Sequence, residues 1–423
     1  MGAPMLGSRR SVPILAALAL AAWTSTARAD DPQPLPAAPA PAPAPPPAPA
    51  PLPAPARAPA PSAWAPSYTL NGYVETAYTY SFEKPSNGII DYRGFDNRHN
   101  TFTIQNAVID AAGKLGSLSA RVALQVGRTP DTYYLAEPNL PGSAGTGASS
   151  LSTWRFIQQA YAGWKAPVAR GLALEAGIFL SPIGLEGIAV KDNWNFSRSN
   201  LFFGLPFYHT GFRATLEVTE RLALSMWVVN GWNNVVDNNA AKTILSQLTY
   251  KIPDRLLVSL LYDGGGERPT GAPEGTPWRH LVDGYAQGDL ASWLSLAAHF
   301  DTGFERNRFG TSYWGAAAIY ARVHPVSWLY LAARADRFGE HRATSAEGTA
   351  SPIFFPASWV SSGTFTVEGK PHDNVSLRVE YRHDQAASDI YFAGQVKGDG
   401  TKTAYVPNAH AQNTMTLGAT AWF

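Results

Sequence analysis

The sequence has no cysteine among its 423 residues, which excludes a disulfide framework and thiolate metal sites. It has almost no net charge: 33 basic side chains against 32 acidic ones leave +1. Nothing electrostatic therefore points to nucleic acid as a partner. Beyond residue 29 no apolar run approaches the ~20 residues of a membrane-spanning helix, so any residence in a membrane must come from strands. Neither H-E-x-x-H nor G-x-S-x-G occurs, so the zincin and serine-hydrolase signatures are missing. No metal and no cofactor is expected.

The first segment, residues 1–29, reads as a secretory signal peptide. Arg9 and Arg10 form its basic start, Val12 to Trp23 its apolar stretch, and Ala27-Arg28-Ala29 a cleavage site before Asp30. Residues 30–67 form a Pro/Ala-rich periplasmic linker without a core. Sixteen of the 35 positions in 32–66 are Pro, and such a chain favours extended polyproline II. It serves either as a spacer or as a tether to the cell wall or a partner.

From Tyr68 to Phe423 the sequence repeats one pattern, an alternating run of about ten residues followed by a connection. The runs are 68–82, 100–112, 117–128, 154–165, 171–180, 207–218, 221–232, 243–251, 255–263, 279–290, 293–303, 312–323, 327–338, 359–370, 374–384 and 413–423. Sixteen such runs over 68–423 predict a closed 16-stranded antiparallel transmembrane β-barrel of the outer membrane. Every Pro after the tract falls in a connection or at a strand margin, as expected where Pro would remove a ladder donor. Short turns such as Gly113–Gly116 and Pro253-Asp254 alternate with long loops such as 181–206 and 385–412. Aromatic content is 12%, and Trp164, Trp227, Trp278, Trp328 and Trp359 sit near strand ends, where interfacial belts would place them.

The faces follow from the alternation. In 374–384, Val375, Leu377, Val379 and Tyr381 are assigned to lipid, and Ser376, Arg378, Glu380 and Arg382 to the interior. In 117–128, Leu118, Ala120, Val122, Leu124 and Val126 face lipid, while Ser119, Arg121 and Gln125 face inward. The last run puts Met415, Leu417, Ala419, Ala421 and Phe423 on one face. A strand edge in lipid would leave N–H and C=O groups without partners, so this strand is expected to pair with the first.

The third long loop, Ser181 to Pro206, is too apolar for a solvated loop: it holds Trp194, Phe196, Leu201, Phe202 and Phe203. It wants a surface to pack against, and the inner wall offers one. The segments Ser181-Pro182-Ile183-Gly184-Leu185-Glu186, Asn195-Phe196-Ser197-Arg198-Ser199 and His209-Thr210-Gly211-Phe212-Arg213 resemble the OmpL-like β-barrel porins of Gram-negative bacteria. The resemblance spans 68–423 in layout, with motif-level similarity in 177–213 and the C-terminal strand. The Pro/Ala tract is not part of that family pattern.

The resemblance implies a passive pore and no catalytic residues. In the general porins, to which the chain is similar in strand number, the third extracellular loop folds inward and narrows the channel. Carried to this chain, Glu186 and Asp192 supply the acidic side of a constriction. Arg121, Arg213, Arg334, Arg378 and Arg382 supply the basic side, with Arg198 within the loop. Opposed charge across a narrow lumen would orient polar solutes and tune ion selectivity. The alternative, that these charges pair with neighbours or line a wet lumen, stays open for each.

Two other functions compete with a pore for small hydrophilic solutes or ions. One is a structural outer-membrane anchor for the Pro/Ala tract. The other is a barrel enzyme built on His299 and Asp301, His372-Asp373 or His383-Asp384, although nothing singles out a nucleophile, and the reading here is not an enzyme. Expected partners are outer-membrane lipid and lipopolysaccharide, the barrel assembly machinery and the solutes, with a homotrimer open as the oligomer. Trp422-Phe423 resembles the assembly signal of outer-membrane barrels. Deleting Phe423 is therefore expected to lower the heat-modifiable, membrane-inserted fraction in cells; unchanged insertion would count against that role.

Overall fold

The computed structural model describes residues 66–134, 154–400 and 404–423. The signal peptide expected over 1–29 lies outside the described residues, as does the Pro/Ala tract expected over 30–67 apart from Pro66 and Ser67, and Ser67 already opens β1. The described chain opens with β1 (Ser67–Ser81), β2 (Thr101–Leu115), β3 (Leu118–Val126), β4 (Ile157–Ala166), β5 (Leu172–Leu180) and β6 (Tyr208–Glu217). It continues with β7 (Leu222–Val229), β8 (Thr243–Ile252), β9 (Leu256–Gly266), β10 (Trp278–Ala291), β11 (Leu294–Asn307), β12 (Gly310–Val326) and β13 (Leu329–His341). A two-residue hairpin, β14 (Thr344–Ser345) with β15 (Gly348–Thr349), precedes β16 (Trp359–His372), β17 (Val375–Ala386) and β18 (Ala411–Trp422).

Leaving aside the small hairpin, the sixteen strands form one closed barrel in which each is hydrogen-bonded to its sequence neighbours. Closure is made by β1 against β18, antiparallel, from Tyr73 opposite Trp422 to Ser81 opposite Thr414. The ladder runs one step further, with Phe423 N–H donating to Gly72 O at 3.0 Å and Gly72 N–H to Phe423 O at 3.2 Å. Gly72 leaves room for this: a Cβ there would lie 2.7 Å from the Phe423 ring. With the seam closed, no strand edge is left bare, as lipid demands.

Each expected run coincides with a barrel strand, with ends shifted by a few residues. The largest change is at β11 and β12, which extend to a two-residue turn at Arg308-Phe309 because the alternation continues through Phe304, Glu305 and Arg306. Two prolines fall inside strand bounds, Pro325 and Pro371, and each occupies an irregular strand end where the register shifts. A missing N–H costs nothing at such a point.

The faces separate by polarity. On β17, Leu377, Val379 and Tyr381 are exposed, while Ser376, Arg378, Glu380, Arg382 and Asp384 are buried. Polar and charged groups thus fill the interior and apolar ones the outside, the inverse of a soluble sandwich. The interior also holds an apolar cluster, in which Phe179, Trp227, Leu281, Trp314 and Phe338 from the wall meet Phe355, Ile390 and Tyr391 from the connections before β16 and β18. Glu340 anchors the first of these connections by accepting the backbone N–H groups of Ile353, Phe354 and Phe355 at 2.6, 2.9 and 3.0 Å.

The outward face predicts a position-dependent penalty for charge. Val379→Arg, in the middle of β17, should destabilise the folded barrel in bilayers by about 2–4 kcal/mol, and His383→Arg, nearer the strand end, by about 0–1 kcal/mol. Urea titrations in lipid vesicles measure both; equal losses would show that the strand sits at a different depth.

Candidate functional site

The site is built by the segment between β5 and β6. A backbone bond from Ser181 N–H to Phe207 O, 3.0 Å, closes its base. Gly184 turns at φ 87°, a conformation that L side chains rarely adopt, beside Leu205. Asn193 folds the next stretch on itself, accepting from Gly187 N–H and donating to Gly187 O, both at 2.8 Å. Arg198 binds the carbonyls of Phe196 (2.7 Å), Gly187 (3.2 Å) and Ile188, with its guanidinium 5.1 Å over the Phe95 ring. Ser199 caps the short helix Asn200–Phe203.

This folded segment lies against inward-pointing side chains of the wall. Glu75 on β1 accepts the N–H of Val190 at 2.5 Å. Glu380 on β17 accepts those of Phe196 and Ser197, at 2.6 and 2.9 Å. Arg378 donates to the carbonyls of Val190, Asn193 and Asn195 at 2.9, 2.8 and 3.2 Å while pairing with Glu368 at 2.9 Å. Arg382 donates to Arg198 O and pairs with Asp384 at 2.6 Å. Arg334 donates to Ser197 O at 2.6 Å and meets Glu186 at 2.8 Å, and Asp336 accepts from Asn200. On β18, Gly418 makes space for the loop, since a Cβ there would lie 2.3 Å from the Phe196 ring.

Charge on this part of the wall therefore satisfies loop backbone. Hydrogen bonds to ionised groups are worth roughly 1.5–3 kcal/mol each, and losing one partner strands a buried charge. Burial alone would raise the Glu186 carboxyl, but Arg334 and the Ser199 donors outweigh it and hold the group below its ordinary value.

Five of the eight sequence-selected site residues meet here: Glu186, Arg198, Arg334, Arg378 and Arg382. The other three stand apart. Asp192 is exposed and pairs with the adjacent Lys191 at 2.8 Å. Arg121 pairs with Asp110 on β2, and Arg213 with Glu175 on β5 at 2.6 Å, because in each case a carboxylate on the next strand is nearer than the loop. No open gap separates Glu186 from its arginine; the two are in contact. Arg121 and Arg213 instead line free space: a 440 Å³ cavity beside Asp110 and Tyr161, and a 410 Å³ cavity beside Thr215, Ser225 and Gln247.

Sequence reading did not single out Glu75, Glu380 or Asp336, although each sits at an inward position of its alternation. It also did not single out the β1–β2 connection, where Arg93 binds Asp96, Asp384 (3.3 Å) and Thr414 (3.0 Å). Of the His–carboxylate candidates, His299 holds Asp283 at 2.6 Å and Asp301 takes the Trp314 N–H at 3.1 Å. His383 faces outward onto Asn413, and His372 accepts a turn N–H. Among the described residues no group of three His, Asp or Glu side chains is placed to hold a metal.

No curated protein matches the chain. Its fold is similar to that of solved outer-membrane proteins. One is an anion-selective porin from Comamonas acidovorans, 12% identical, with a TM-score of 0.53 over 85% of this chain and 100% of that one. Another is the outer membrane channel DcaP of Acinetobacter baumannii, 10% identical, with a TM-score of 0.53 over 85% and 97%. A third is OmpT of Vibrio cholerae, 10% identical, with a TM-score of 0.53 over 85% and 98%. At these identities the likeness concerns fold. The family itself is shown by a sequence model described as "Putative beta-barrel porin-2, OmpL-like", which matches residues 67–423: the chain belongs to that family of β-barrel porins.

Proposed function

We propose that the chain is a passive outer-membrane pore in which the segment 181–206 narrows the lumen from one side. The observation that carries this reading is the segment's docking: its backbone groups are bonded to Glu75, Arg334, Arg378, Glu380 and Arg382 on β1, β13 and β17. A loop held there occupies that side of the lumen and leaves the polar cavities beside Arg121 and Arg213 for solute. Those two arginines then face the path, while Arg334, Arg378 and Arg382 hold its border in place.

Small hydrophilic solutes or ions are the substrates in this reading, and no step requires catalysis. Family and fold point to a channel rather than an enzyme. Lipid, lipopolysaccharide and the assembly machinery remain the proposed partners, with outer-membrane residence after signal-peptide removal and the Pro/Ala tract as a spacer. A homotrimer is proposed as the assembly; a trimer form is described for the Vibrio cholerae OmpT. An anchor without a pore is the competing function.

Planar-bilayer recordings of the refolded protein decide between them, since an anchor would give no conductance steps. Removing residues 187–197 should raise single-channel conductance. Arg121→Gln with Arg213→Gln should move the reversal potential in a KCl gradient toward cations, as basic groups lining a pore favour anions. If both changes leave the recordings as they were, the narrowest point lies elsewhere.

A further inference from the structure

One inward-facing arginine is unlike the rest. Arg121, Arg213, Arg279, Arg334, Arg378 and Arg382 each have a carboxylate partner. Arg322 on β12 has none among the described residues, and its buried Nε has no hydrogen-bond partner. Its guanidinium lies 4.9 Å over the Trp194 ring of the third loop and 5.4 Å over the Tyr330 ring of β13. Lys370 of β16, likewise without a carboxylate partner among the described residues, places its Nζ 4.9 Å over the same Tyr330 ring. His324 stacks on Tyr330 with centroids 5.5 Å apart.

The carboxylates in the neighbourhood are engaged. Glu368 is bound by Arg378 at 2.9 Å and by the Ser376 hydroxyl at 2.6 Å. Asp289 is bound by the Ser295 hydroxyl at 2.5 Å. Arg322, His324, Tyr330 and Lys370 all lie on the strand halves that run into the short turns between β12 and β13 and between β16 and β17. The cluster therefore faces the lumen at the short-turn mouth, beneath the docked loop. Ring faces hold both cations in place without neutralising them.

We infer that Arg322 and Lys370 form a binding site for a small oxyanion, a carboxylate or phosphate group, at the short-turn mouth of the lumen. The guanidinium supplies a planar fork and the ammonium a point charge from the strand on the other side of β13, the pair that oxygen-rich anions accept. A half-buried guanidinium with an unused donor is costly unless something binds it; here the partner comes from solution. The site rests on the lumen being open to solutes, and its occupant passes beneath Trp194 and the third loop.

Equilibrium dialysis of the purified full chain in detergent against labelled inorganic phosphate reads the site without needing conduction. Saturable binding is expected. It should weaken about a hundredfold or more in Arg322→Gln with Lys370→Gln, through loss of two charge-assisted contacts, and stay unchanged in Arg170→Gln with Arg308→Gln, two exposed arginines outside the cluster. Lys370→Gln alone leaves the guanidinium in place and should weaken binding even if the double variant refolds poorly. In bilayers, phosphate added from the short-turn side should block chloride current saturably in the wild type and not in the double variant. Absent binding, or binding equal in all variants, overturns the site. Binding without any conductance leaves the site standing and overturns the pore reading.

Discussion

A peptide group in hydrocarbon has no water to bond, and this one constraint shapes the whole structure. It forces strands into a closed ring, so the first strand must find the last. The seam between β1 and β18 does this in register from Tyr73 opposite Trp422 to Ser81 opposite Thr414. The glycine at 72 leaves room for the terminal aromatic ring against the joint. Once closed, the ring has an outside that must be apolar and an inside that need not be, and the period of two along each strand sorts side chains between them.

The same constraint reappears inside the barrel. A loop that enters the lumen carries its own N–H and C=O groups into a crowded space, and they must be paired there too. This chain pairs them with ionised side chains of the wall. Glu380 receives two adjacent N–H groups, and Arg378 covers three carbonyls while its charge is balanced by Glu368. Charge on this part of the wall holds a polypeptide segment. In the proposed pore, selectivity falls to groups the loop does not cover, such as Arg121 and Arg213.

Some features of the inner wall were readable one strand at a time. The inward positions of Arg378, Glu380 and Arg382 follow from alternation alone, and the apolar stretch of the third loop announces that it needs a packing surface. The connections before β16 and β18 carried the same signal in Ile353-Phe354-Phe355 and Ile390-Tyr391-Phe392, in shorter stretches. Their part in the interior cluster is visible only with Trp314 and Phe338 beside them.

Strand number, strand order around the ring and the face of each residue follow from the sequence alone. These are local properties, set by a two-residue period and by where proline and turns interrupt it. Which charges meet is settled in three dimensions. Arg334 and Glu186 are 148 residues apart in sequence. Arg121 finds Asp110 because a hairpin register brings the diagonal neighbour close. Among the described residues Arg322 is left with two rings and no carboxylate ion pair, while Glu368 and Asp289 are each bonded to other donors. Pairing depends on register, strand tilt and side-chain reach across a closed wall, and no alternation pattern encodes distances of that kind.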